Sequence, residues 1–174
     1  KITKKTRAIV VVHLYGFAVN VESFLRLRTD IKIIEDCAQA FGAKFNNKKV
    51  GTLGHFSCYS FHAQKNLTTL GEGGALYVKE NSLSKKVPGL RHNGHSNFSK
   101  KRKFYWKPAM GNLDLDLENY WPFKFTLSEI QCAAGYLILK KIDKLNNTRI
   151  ARAKKFIDKF DGDIFLFNKE LDNK

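Results

Sequence analysis

The chain has 174 residues, 43% of them hydrophobic, with 14 Phe and 6 Tyr, enough apolar material for a packed core and too much for a disordered chain. Lys and Arg outnumber Asp and Glu by 31 to 16, a formal charge of +15. The basic residues are dispersed, with denser runs only at Lys85-Lys86 and residues 100–103, so they read as a solvated surface, and a nucleic-acid partner is the lesser alternative.

The basic opening, KITKKTR, precedes an apolar run too short for a secretory leader, and no run reaches bilayer length, so neither a leader nor a membrane partner is expected. Residues 8–15 (AIVVVHLY) predict a strand buried on both faces and ended by Gly16. Residues 20–28 carry apolar positions at Val21, Phe24, Leu25 and Leu27, a short helix. Residues 31–35 (IKIIE), 56–61 (FSCYSF) and 74–78 (GALYV) predict three further strands. Strand, helix, strand with continuous β-branched runs is the pattern of an α/β layer with a mostly parallel sheet and flanking helices.

Residues 92–122 show no clear period. Ser128-Glu129-Ile130-Gln131 then matches a capping box, and apolar spacing continues toward a stop at Asp161-Gly162. The prediction is one long helix, or two joined near Asn146-Asn147, acting as a strut into a second domain. Residues 1–145 are expected to form one domain and residues 146–174 the linker helix and the start of another, whose first strand would be IFLF at 164–167.

Two stretches could carry chemistry. Glu35-Asp36-Cys37-Ala38-Gln39-Ala40 puts two acids at the C-terminal end of a strand, where α/β sheets place their ligands. Asp36 there could hold a protonated ring nitrogen or a metal, or could simply N-cap a following helix. Further on, SFHAQKNLTTLGEGG (60–74) places a serine, a histidine and Lys65, 29 residues after Asp36, before hydroxyls and glycines. Such a loop can cradle a phosphate and capture a carbonyl on a lysine of lowered pKa; the alternative is a β-turn with an exposed lysine. His62 alone is more often structural. His92 and His95 stand three apart, but neither they nor His55 have an acid or cysteine nearby to complete a metal set, and none is expected. Cys37, Cys58 and Cys132 are odd in number with no CxxC pair, which suits a reducing, cytoplasmic compartment. No GxSxG elbow supports a serine nucleophile.

Five blocks in order, VVHLYG (11–16), IEDCAQAFGA (34–43), SFHAQKNLTTLGEGGAL (60–76), LRHNGH (90–95) and SEIQCAAG (128–135), resemble the DegT/DnrJ/StrS family of sugar aminotransferases. The resemblance implies the type I, aspartate-aminotransferase fold and pyridoxal 5'-phosphate as cofactor. It implies that Asp36 pairs with the pyridinium nitrogen, that Gln39 lies near the phenolic oxygen and that Ser60 donates to the phosphate. Lys65 would hold the cofactor as a Schiff base and later shuttle the substrate proton. The implied reaction passes an amino group from glutamate or glutamine to a keto-sugar, usually nucleotide-linked, in a homodimer with sites at the subunit interface.

Relatives that replace this lysine with histidine dehydrate instead, so Lys65 favours transamination over the alternative of a sugar dehydratase. Non-catalytic remnant and basic nucleic-acid module are the remaining alternatives. Members of the family are about twice this length, and the chain is expected to be an internal piece: the back half of the large, cofactor-binding domain and the helix leaving it. Where the family has an Asn-x-Arg-like pattern, PFKFTLSE puts Lys124 and Thr126, so Lys124 would meet the phosphate as a point charge. Leu70 is an insertion relative to TTGEGG, a loop variant.

Overall fold

A computed structural model describes residues 1–94 and 120–159. Strands β1 (Ala8–Val12), β2 (Lys32–Asp36), β5 (Phe56–Ser60) and β6 (Gly74–Val78) form one sheet in the order β1-β2-β5-β6. The first three are parallel and β6 returns antiparallel. Helices α1 (Val21–Leu25), α2 (Asn81–Leu90), α3 (Glu129–Leu139) and α4 (Ile142–Lys159) flank it, with a small hairpin of β3 (Lys44–Phe45) and β4 (Lys48–Lys49). The α/β class with a mostly parallel sheet is thus the observed one.

Alternation along the strands decides what is buried. Val11, Ile33, Glu35 and Ser57 point to one face, and Val11 and Ile33 join Val21 and Ile31 in a core closed by Phe24, Leu25 and Leu53. Each such aliphatic side chain contributes about 1.5–3 kcal/mol on burial. A second cluster, Cys37, Ala40 and Val50 against Tyr59, lies under the loops that leave β2 and enter β5.

Three expectations need correction. The first strand is five residues long and only one face of it is covered: Val10 is 59% and Val12 45% exposed, as is Leu76 at 51% in the same row. It is an edge strand, and its outer face meets no layer among the described residues. His13 leaves the strand for a buried hydrogen-bonding position, which ends β1 before Tyr15. The helical break falls at Lys140–Lys141 and not at Asn146-Asn147; the Lys141 N–H reaches back only to the Ile138 carbonyl, tightening the turn.

Two elements escaped the sequence reading. Helix α2 carries Pro88 and Gly89 inside its last turn and lacks a side-chain N-cap, so its signals mimic a loop. The β3–β4 hairpin turns on Asn46 and Asn47, with φ of 47° and 63°, the left-handed pair that a tight two-residue turn requires. The expected stop at Asp161-Gly162, the strand at 164–167, His95 and the basic run at 100–103 lie outside the described residues.

Candidate active site

Parallel strands β2 and β5 pair Asp36 with Cys58, so Ser60 lies two residues beyond that pair on the neighbouring strand, and both open on the C-terminal edge of the sheet. No helix follows β2 among residues 37–43; Asp36 Oδ1 instead accepts from the Ala38 N–H at 3.0 Å, closing a local turn. Asp36 thus caps no helix, and its other carboxylate oxygen has no partner among the described residues. Gln39, on the same loop, accepts through Oε1 from the Tyr15 N–H at 3.0 Å, which holds Tyr15 at φ 54° and leaves the Gln39 amide hydrogens unspent.

The loop after β5 is tightly tied. Ser60 Oγ accepts from the His62 N–H at 3.3 Å, so its own proton remains free to donate. The Lys65 N–H donates to the His62 carbonyl at 2.9 Å, and the Ala63 N–H to the Gly71 carbonyl at 2.7 Å. Lys65 is half-buried, and its ammonium has no hydrogen bond or ion pair among the described residues. His62 sits 3.7 Å from an exposed Glu72 carboxylate, a rim contact rather than a catalytic pairing. Leu70 occupies φ 67°, so the inserted residue is absorbed by a left-handed step at the loop's exposed tip.

What pins this loop to the fold is Thr69. It is buried, and its hydroxyl lies 2.9 Å from the Glu72 carbonyl as donor, while its N–H donates to the Phe61 carbonyl at 3.0 Å. A Cβ on Gly73 would collide with its hydroxyl oxygen, and one on Gly135 of α3 would lie 2.7 Å from its methyl. Helix α3 therefore packs onto the lysine loop through a glycine. Its capping box adds a second tie: Gln131 closes the cap on Ser128 and also donates from Nε2 to the Glu72 carbonyl at 2.9 Å. The sequence reading identified that box as a helix start and missed its grip on the loop.

Lys124 stands apart. Its segment pairs with residues 90–93, the Phe123 N–H donating to the Leu90 carbonyl and the Phe125 N–H to that of Arg91, with Lys124 opposite His92. No contact joins Lys124 to Asp36, Gln39, Ser60 or Lys65 among the described residues.

Beneath the edge lies a network unforeseen in the sequence. Glu35 is fully buried, and its carboxylate accepts from His13 Nε2 at 3.1 Å and from the N–H groups of Gly51, Leu53 and Gly54 at 2.6, 2.9 and 2.5 Å. His13 Nδ1 accepts from the Val19 N–H at 3.0 Å, which fixes the proton on Nε2. Burial alone would raise the Glu35 pKa; the bonds from His13, Gly54, Gly51 and Leu53 outweigh it and hold the carboxyl below its usual value. His13, Glu35 and Cys37 bring their ligand atoms within 4.8 Å of one another, a metal-like grouping. Every lone pair of Glu35 is already used, however, and burial with the Glu35 and Asp36 charges pushes the Cys37 thiol up to about 12. The group is a structural anchor. A histidine just past one apolar strand and an acid on the inward row of the next were the available signal. His55 is also structural: its Nδ1 accepts from the Ile33 N–H at 2.9 Å, and burial lowers its pKa, helped by Lys32 and Lys79.

The sheet has an aspartate and a serine at the C-terminal ends of neighbouring parallel strands and a lysine on the loop that follows, the edge on which open α/β sheets carry their ligands. The model of the DegT/DnrJ/EryC1/StrS aminotransferase family matches residues 1–165, and the chain belongs to that family. An L-glutamine:2-deoxy-scyllo-inosose aminotransferase of Micromonospora echinospora is 36% identical over 155 residues, covering 87% of this chain and 35% of that protein. A UDP-N-acetyl-3-dehydro-alpha-D-glucosamine 3-aminotransferase of Acidithiobacillus ferrooxidans is 41% identical over 95 residues, 53% of this chain and 26% of its own length. The X-ray structure of an aminotransferase from Psychrobacter cryohalolentis aligns with a TM-score of 0.74 at 28% identity, over 90% of this chain and 39% of that one. The chain thus spans well under half the length of the relatives it matches. No described helix is long and apolar enough to cross a membrane.

Proposed function

We infer that the protein forms the lysine-bearing part of a pyridoxal 5'-phosphate-dependent aminotransferase that moves an amino group from glutamate or glutamine to a nucleotide-linked keto-sugar. The observation that carries this reading is Lys65: an ammonium with no partner among the described residues, on the tied loop that follows β5, the strand paired with the one that ends in Asp36. The residues present fit the cofactor's chemistry. Asp36 would keep a proton on the ring nitrogen, Ser60 would spend its free hydroxyl proton on the phosphate, and the Gln39 amide would donate toward the phenolic oxygen. Lys124 would add a point charge from its own segment.

Pyridoxal phosphate, when bound, supplies an electron sink for the charge left on a substrate carbon that loses its proton. Lys65 would be the residue that holds the group through its Nζ, and its free amine would serve as the base that carries the substrate proton. A lysine at this position supports transamination over dehydration. The domain division near residue 145, a homodimer with shared sites and a cytoplasmic location accompany the reading.

The test is spectroscopic. Adding pyridoxal phosphate to the purified protein should give a cofactor absorption band that borohydride traps covalently, and Lys65→Ala should abolish both band and trapping. Trapping that persists in Lys65→Ala, or no band in the wild type, sinks the proposal.

A further inference from the structure

The turn that carries Lys65 hangs on the glycine segment at the far end of its loop. The Phe61 N–H donates to the Gly73 carbonyl and the Ala63 N–H to that of Gly71, both at 2.7 Å. Between them the Lys65 N–H closes on the His62 carbonyl at 2.9 Å. Glu72 stands between the two glycines, and its own carbonyl is bonded elsewhere, to the Thr69 hydroxyl and to Gln131 Nε2, each at 2.9 Å. Two donors fill both lone pairs of that oxygen. One of them, Gln131, comes from 59 residues away, in the first turn of α3.

The helix cap fixes which way the Gln131 amide points. Its Oε1 accepts from the Ser128 N–H at 3.1 Å and from the Ser128 hydroxyl at 3.0 Å, so the Nε2 end is the one that faces Glu72. One side chain therefore has two separable tasks: its oxygen closes a helix start and its nitrogen holds a loop. Glutamate closes a capping box as well as glutamine does, and its charge suits the positive end of a helix. It has no N–H for the Glu72 carbonyl, however, so of the two residues only glutamine serves both ends.

We propose that Gln131 is a positioning residue for Lys65. Through the Glu72 carbonyl it holds Gly71 and Gly73 in the register that receives Ala63 and Phe61, and so fixes where the lysine turn stands beyond the end of β5. The inference rests on the aminotransferase reading for what Lys65 does there. Thr69, the other donor to Glu72, belongs to the same loop; Gln131 belongs to a helix whose start is closed independently, and it refers the loop to an outside frame. The net worth of one hydrogen bond is small, so its loss should loosen the turn without unfolding the chain.

Gln131→Glu set against Ser128→Ala separates the two tasks, because alanine at 128 keeps the backbone N–H that holds Oε1. Without cofactor, the Phe61, Ala63 and Lys65 amides of Gln131→Glu should exchange hydrogen about three- to tenfold faster than in the wild type. Its thermal midpoint should stay within about 2 °C, since the cap survives. Ser128→Ala should do the reverse, with a midpoint about 2–4 °C lower and unchanged exchange in the loop. Acetylation of Lys65 by acetic anhydride, read against Lys154 in the same digest, should rise about threefold in Gln131→Glu as the half-buried side chain is freed. With pyridoxal phosphate added, that variant should form the borohydride-trapped adduct about three- to tenfold more slowly, and Ser128→Ala at the wild-type rate. Unchanged loop exchange in Gln131→Glu, or faster exchange with unaltered acetylation and trapping, overturns the proposal; so does trapping slowed equally in both variants. The two readings fail separately. A wild-type cofactor band that Gln131→Glu forms at the same rate sinks the positioning role alone. Faster exchange and acetylation in Gln131→Glu, with no band in the wild type, sink the aminotransferase reading and leave Gln131 positioning the lysine.

Discussion

Glu35 and Asp36 are neighbours on one strand, yet they belong to opposite regions of the molecule. Glu35 faces inward and meets four donors; Asp36 faces the open edge and meets one, leaving an oxygen unspent. The two-residue alternation of the strand is enough to send one carboxylate into a saturated interior and to leave the next with an oxygen unspent. The buried region is saturated and the edge is deliberately incomplete. A substitution below should therefore cost stability, and one above should cost function.

The sharpest break of that contrast is Glu35→Ala against Asp36→Asn. Removing Glu35 strands His13 and three backbone N–H groups in the interior, and breaking such a buried pair costs about 3–5 kcal/mol. Urea denaturation should register that loss, with much of the chain unfolded in buffer. Asp36→Asn should move the midpoint by no more than about 0.5 kcal/mol, as a substitution outside the packed core does, while abolishing the cofactor band. Comparable destabilisation by the two would erase the distinction.

Acid should reveal the same asymmetry. The folded Glu35 carboxyl titrates below its unfolded value, so its contribution is present above the unfolded pKa of about 4.3 and is lost as pH falls through the folded one. His55 is also depressed, so the unfolded chain takes up its proton first, and stability begins to fall below about pH 6.5. Denaturation midpoints between pH 8 and 3 should decline in two stages. His55→Asn, whose amide oxygen can still accept from Ile33, should remove the upper stage and leave the lower.

The third contrast lies within the site, between the loop's anchor and its tip. Gly135→Ala places a methyl 2.7 Å from the Thr69 side-chain methyl and should cost about 1–3 kcal/mol. Thr69→Ser removes that methyl and keeps the hydroxyl bond, so the double variant should recover most of the loss. Simple additivity in thermal denaturation would show that α3 does not lean on Thr69.

Legibility followed the same division. The strands, α1 and the capping box were readable because period and cap chemistry are local, and the motif blocks pointed to Asp36, Gln39, Ser60 and Lys65 because their order along the chain is itself a signal. The His13–Glu35 anchor joins residues 22 apart, and the hydrogen bond from the Asn146 amide to the Phe41 carbonyl joins residues 105 apart. Neither has a local periodicity to betray it. Helix α2 was hidden by Pro88, and the exposed outer face of β1 by an apolar run that reads the same whether or not a second layer covers it.

The smallest predicted effect is at the tip. Leu70 sits at φ 67° and is 67% exposed, so its side chain buries little while its Cβ crowds the backbone. A left-handed conformation costs a residue with a Cβ roughly 1–2 kcal/mol, partly offset in Leu70→Gly by the greater freedom of glycine in the unfolded chain. Leu70→Gly should therefore raise the denaturation midpoint by up to about 1 kcal/mol and leave borohydride trapping on Lys65 intact. A loss of trapping would show that the inserted leucine helps position the lysine, and would move the boundary between structure and chemistry out to the loop's tip.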